Sequence, residues 1–84
     1  MGTLPLLKHE ILCYSLSHLS STEKVRFFYA LKGRGKQEGI ISKYEVRQLS
    51  KGVLLAKESR TEEVKSFLRY WHCPIKITEV YLHD

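Results

Sequence analysis

Residues 52–82, GVLLAKESRTEEVKSFLRYWHCPIKITEVYL, carry the clearest structural signals in this chain. Val53 to Lys57 is a compact apolar run, bounded by Gly52 and by Lys57-Glu58-Ser59. It is too short for a helix and reads as a buried strand. Ser59 and Glu62 have capping-box spacing, so a helix should follow. Val64, Phe67, Leu68 and Trp71 then recur at i, i+3, i+4 and i+7, while Glu62, Glu63, Lys65, Ser66 and Arg69 face water. Pro74 ends the helix. Ile75 to Leu82 is rich in β-branched residues and reads as a strand. Ile75 and Ile77 are in phase, but Val80 and Leu82 are in the opposite phase. A bulge near Thr78–Glu79, or burial on both faces, would explain the shift. The whole is a strand–helix–strand unit with the length of a βαβ crossover, right-handed if its strands are adjacent and parallel.

Upstream, Ser20 and Glu23 are a second capping-box pair, and a helix is expected from there. Val25, Phe28 and Tyr29 would share its buried face, with Phe27 and Leu31 beside them. Gly33 stops it as a left-handed cap, and Arg34, Gly35 and Lys36 continue as an open basic loop. Two segments read both ways. In residues 5–19, Leu12, Leu16 and Leu19 fit a helical face, whereas Leu12, Tyr14 and Leu16 alternate as in a strand; the helix is preferred. In residues 39–51, Ile40, Ser42, Tyr44 and Val46 alternate as an edge strand would, yet Ser42 and Glu45 again have capping-box spacing.

The chain has 84 residues, with 43% hydrophobic and 27% charged side chains. That composition suits one globular domain, residues 1–84, and argues against disorder. The expected class is α+β: two or three helices packed on a small sheet, with the C-terminal strand–helix–strand unit. A domain this small is marginal alone, and a dimer or partner would add burial. No basic-then-apolar leader or membrane-length run is visible, so the chain is expected in the cytoplasm. Cys13 and Cys73 then read as small buried hydrophobes; a disulfide between them would require an unusual, hyperthermophilic source.

The formal charge of +5 is unevenly placed. Residues 24–60 hold ten Lys/Arg against three Glu, whereas residues 61–84 hold three against four acids. A positive middle attracts polyanions, nucleic acid first. Gly33-Arg34-Gly35-Lys36 is the best candidate site, since glycines let backbone N–H groups approach a phosphate and the cations supply charge. It is not a nucleotide-binding P-loop: Ala30 stands where the first glycine belongs, Gln37 where Ser or Thr belongs, and a helix precedes it where a strand should. Arg26 and Lys32 flank this loop, and Lys43, Arg47 and Lys51 form a second row of phosphate contacts. The competing account is a capped helix, a turn and a solvated surface. Phe27, Phe28, Tyr29, Tyr44, Tyr70, Trp71 and Tyr81 offer rings for base stacking, but Phe28, Phe67 and Trp71 are expected in the core, leaving Tyr44 and Tyr81 freer.

No catalytic constellation is visible. The single Asp is the last residue, and no Ser or Cys has an evident base. His9 and Cys13 are spaced i, i+4, but His72 and Cys73 are adjacent, so no metal site is expected. No cofactor is expected either.

Arg26-Phe27-Phe28-Tyr29-Ala30-Leu31-Lys32-Gly33-Arg34-Gly35, then Gly52-Val53-Leu54-Leu55, then Phe67-Leu68 with Trp71 and the Val80 strand, resemble a small archaeal-type domain found beside predicted nucleotidyltransferases. The resemblance spans about residues 20–82 on short motifs. The paired acidic metal ligands of a transferase domain are absent, so it implies an accessory module without transferase activity.

The expected function is a non-catalytic nucleic-acid-associated module, a small accessory subunit of a DNA- or RNA-processing complex. One alternative is a protein-interaction or homodimerising subunit without nucleic-acid binding. A second is a winged-helix DNA-binding protein, which requires a helix over residues 42–50 carrying Lys43 and Arg47 into a groove.

Overall fold

The computed structural model describes residues 5–83 and shows a small α+β domain. In chain order it contains β1 (Leu7–Tyr14), α1 (Ser21–Lys32), a miniature hairpin of β2 (Gly33–Arg34) and β3 (Gln37–Glu38), α2 (Ile40–Lys43), β4 (Arg47–Ser50), β5 (Val53–Lys57), a 3₁₀ turn, α3 (Thr61–Tyr70) and β6 (Ile75–Leu82). Four strands form one antiparallel sheet in the order β4-β5-β1-β6.

Residues 7–14 are a strand and not the preferred helix. The strand wins because β1 is central, bonded to β5 on one side and β6 on the other. A central strand can bury residues on both faces, so its apolar positions need not alternate cleanly. Leu12 points to the helices and is wholly buried, while His9, of opposite phase, is buried on the other side. The strand–helix–strand unit is present with one correction. Its strands, β5 and β6, are both antiparallel to β1 and so parallel to each other, but β1 lies between them. They are therefore not neighbours.

Residues 39–51 follow neither reading at the expected positions: Ile40–Lys43 is one helical turn where the alternation suggested a strand, and strand β4 runs where a helix started at Ser42 would have continued. The 42–50 helix needed for a winged-helix recognition element is thus replaced by a turn and an edge strand. Of the three capping-box pairs only Ser20–Glu23 closes. There the Ser20 hydroxyl accepts from the Glu23 N–H at 3.2 Å, and the Glu23 carboxylate accepts from the Ser20 N–H at 2.9 Å. Gly39 caps α2 and Arg60 precedes α3, neither through a side chain.

Among the described residues, helices cover one face of the sheet only. Leu12, Leu54 and Ala56 from the sheet meet Phe27 and Leu31 of α1, Val64 and Leu68 of α3, and Val46 and Cys73. Phe27 is the hub: its ring lies within 6 Å of the rings of Tyr14, Phe28, Phe67 and Trp71. Burying one such side chain contributes about 1.5–3 kcal/mol. Thiols Cys13 and Cys73 are unpaired. Cys13, opposite Val53, faces the uncovered side, and Cys73 sits in the core, so the sheet separates them. Burial raises the Cys73 thiol pKa. Among the described residues no helix is long and apolar enough to cross a membrane.

Candidate nucleic-acid interface

Helix α1 does not bury the face its spacing suggested. Phe27 and Leu31 are fully buried, whereas Val25 and Tyr29 are 48% and 44% exposed. The reason lies in the packing. Phe27 enters a cluster of rings from β1 and α3, and that fixes the helix rotation. The four-residue spacing then carries Lys24, Phe28 and Lys32 down one flank of α1, at the border between core and solvent. Phe28 is half-buried; both lysines are exposed.

On this flank cations lie over rings. Lys32 Nζ is 5.7 Å from the centre of the Phe28 ring, and the Arg34 guanidinium is 4.5 Å from that of Tyr29. On α2, Lys43 Nζ is 5.6 Å from the Tyr44 ring. Such contacts fix long cationic chains against aromatic faces without neutralising them. Among the described residues no ion pair engages Lys24, Lys32, Arg34, Lys36, Lys43 or Lys51; the ion pairs gather on Lys8 and Lys65.

The Gly33–Lys36 segment is not an open loop. It is a two-strand hairpin with Gly33 opposite Glu38 and Arg34 opposite Gln37. Gly35, at φ 59°, takes the turn position where glycine is favoured. Gly33, at φ 92°, caps α1 and gives its N–H to the Tyr29 carbonyl. That N–H is therefore not free for a phosphate, and the expected backbone cradle does not form at Gly33. Gly39 clamps the hairpin from below: a Cβ there would collide with the Gly33 nitrogen and the Leu31 carbonyl. The result is a stiff projection from the end of α1, presenting the exposed side chains of Arg34 and Lys36.

Across from the Lys24–Phe28 flank, the β4–β5 turn supplies Lys51. Tyr14, Ser15, Leu16, Ser17, Lys24, Phe28, Lys51 and Gly52 enclose a cavity of about 370 Å³. The Tyr14 hydroxyl is buried without a hydrogen-bond partner among the described residues, and its burial raises its pKa.

Of the nine sequence-predicted residues, Lys32, Gly33, Arg34, Gly35 and Lys36 are contiguous at the α1–hairpin junction and Lys43 is on the adjoining α2, whereas Lys51 lies across the cavity from Lys24, toward the start of α1. Arg26 is exposed on α1 one turn before Tyr29, whose side of the helix it shares, and away from Lys24 and Phe28. Arg47 is apart. It pairs opposite Leu55 and, with His9, Glu45 and His83, lines a separate cavity of about 140 Å³ on the uncovered sheet face. So Lys43, Arg47 and Lys51 do not form a second row. Sequence reasoning counted Phe28 and Tyr29 among the rings for stacking but placed both on the buried face of α1, and it left Lys24 out of the site; the Lys24–Phe28–Lys32 spacing was the available signal. Among the described residues no three His, Cys, Asp or Glu side chains are grouped as metal ligands. Comparison with family models, with curated proteins and with solved structures finds no match.

Proposed function

We infer that this chain is a non-catalytic nucleic-acid-binding module, an accessory component of a DNA- or RNA-processing assembly. The observation that carries the reading is the alternation of cations and accessible rings along α1 and the hairpin: Lys24, Phe28, Lys32, then Tyr29 and Arg34. Polyanion backbones are met by cations, and unpaired bases stack on aromatic faces. Arg34 and Lys36 lead, with Lys32 beside them, Lys43 on the adjoining α2, and Lys24 and Lys51 farther along α1 toward its start; Tyr29 provides a stacking ring. This arrangement favours single strands over a duplex, because accessible rings stack on unpaired bases, and recognition is largely blind to sequence. The resemblance to a domain found beside predicted nucleotidyltransferases agrees with an accessory role. Fluorescence anisotropy with a labelled single-stranded oligonucleotide across a salt series tests the reading. Binding that weakens steeply with salt is expected; no binding at low salt, or affinity indifferent to salt, refutes it.

A further inference from the structure

Strand β6 is an edge strand guarded only by the charges of Lys76 and Glu79, without the shortness, bulge or proline that also protect edges. It runs for eight residues, pairs with β1 along its whole length from Leu7–Leu82 to Tyr14–Ile75 without a bulge, and contains no proline. The other edge, β4, is four residues long and carries a bulge between Gln48 and Ser50. Short, bulged edges resist pairing, whereas long regular ones are templates for another strand. The phase shift noted in the sequence has its explanation here. No bulge resets β6, so Ile75, Ile77 and Tyr81 face the helix side and Val80 and Leu82 the uncovered side. Neither side is well covered: Ile77, Tyr81 and Leu82 are 39%, 58% and 37% exposed. The sheet thus extends beyond its helical layer. The radius of gyration of the domain, 14.0 Å, exceeds the ~12 Å of a compact domain of this length.

The geometry points to a second copy of this chain as the occupant of that edge, paired antiparallel through β6 about a two-fold axis perpendicular to the sheet. Such an axis makes the contact isologous and keeps helix side with helix side, so one residue must face its own copy across the axis. The strand's own charges select which one. Centring on Lys76 or Glu79 sets like charges directly opposite each other, which is unfavourable. Centring on Ile77 shortens the overlap. Centring on Thr78 avoids both, pairing Ile75 with the second copy's Tyr81, Lys76 with Val80 and Ile77 with Glu79. Glu79 is already held by Lys8 at 3.2 Å, so it brings no unpaired charge. Two four-stranded sheets become one continuous sheet, with both α1 helices on the same side of it.

The test uses the whole chain in high salt without nucleic acid, so its outcome is separate from that of the binding assay. Sedimentation of the wild type should give a species of twice the 9.8 kDa chain mass. Thr78 is exposed, so Thr78→Lys and Thr78→Glu leave the core intact, as far-UV circular dichroism checks. Each variant alone sets like charges at the axis and should be monomeric; an equimolar mixture should recover the dimer. Mild oxidation of Thr78→Cys should give a covalent dimer in non-reducing electrophoresis, well above the wild-type control for Cys13 and Cys73 and above Ile77→Cys. A monomeric wild type, dimers that survive in the separate charge variants, a mixture that stays monomeric, or open-ended oligomers would each overturn the inference.

Discussion

Reversing Arg34 and Lys36 to glutamate is the sharpest perturbation of the proposed interface. Both side chains project from the hairpin into solvent, and the turn itself depends on Gly35, which is untouched. Five cations flank the α1–hairpin surface: Lys24, Lys32, Arg34, Lys36 and Lys51. If each meets one phosphate of a single strand, log affinity should fall with log salt at a slope of about −3.5. From 50 to 200 mM salt that is a loss of about 100-fold. Removing two contacts reduces the slope to about −2 or shallower, so the same salt step costs the variant about 20-fold or less. Arg34→Glu also removes the stacking of the guanidinium on Tyr29, an exposed contact of about 0.5–1 kcal/mol. The variant's melting temperature should therefore fall by only a few degrees. Anisotropy titrations at four salt concentrations measure the slope, and thermal unfolding checks the fold. A folded variant with the wild-type slope would refute the placement of the interface on the hairpin.

Other changes separate the ring, core and cap contributions. Tyr29→Ala should weaken single-strand binding by ~1–3 kcal/mol with little change in salt slope, because stacking is lost and no charge is; an unchanged dissociation constant would remove Tyr29 from the surface. Phe27→Ala empties the centre of the ring cluster and should cost about 3–5 kcal/mol, read by urea unfolding. Against a total of about 4–13 kcal/mol for a domain of this size, that removes from roughly a quarter to all of the stability, and a loss under about 1.5 kcal/mol would contradict the packing. Ser20→Ala should cost about 1 kcal/mol through the lost α1 cap. The Ser20 backbone N–H, then its hydroxyl, hold the Glu23 carboxyl below its usual range, with His18 and Arg26 adding. A depressed carboxyl stabilises the fold above its unfolded pKa, and the benefit is lost as pH falls through the folded value. Glu23→Gln should thus be less stable than wild type at neutral pH, and the gap should close below the ordinary carboxylate range.

Helix α3 was legible in the sequence because its apolar residues keep one period over ten positions and Pro74 closes it. The start of α1 was legible because a capping box is a local exchange of hydrogen bonds between residues three apart, and Gly33 marks its end by a backbone angle that glycine adopts readily. Strand β5 was legible as an apolar run too short to be a helix. The cations of the candidate interface were also visible, as composition. What local signals could not carry is partnership. Strand β1 became a strand because two other strands bond to it, one of them more than sixty residues away. Its insertion between β5 and β6 is likewise a long-range choice that no spacing records. The rotation of α1 was decided by which ring, Phe27 or Phe28, fits among Tyr14, Phe67 and Trp71. That single packing choice placed Tyr29 in solvent beside Arg34 and set Phe28 between two lysines. The sequence by itself thus determined the periodic elements, the caps and the local excess of positive charge, all properties of neighbours along the chain. The tertiary structure alone decided which face each element buries, which cations stand together and which strand is left at the edge, because those depend on side chains far apart in sequence competing for the same core.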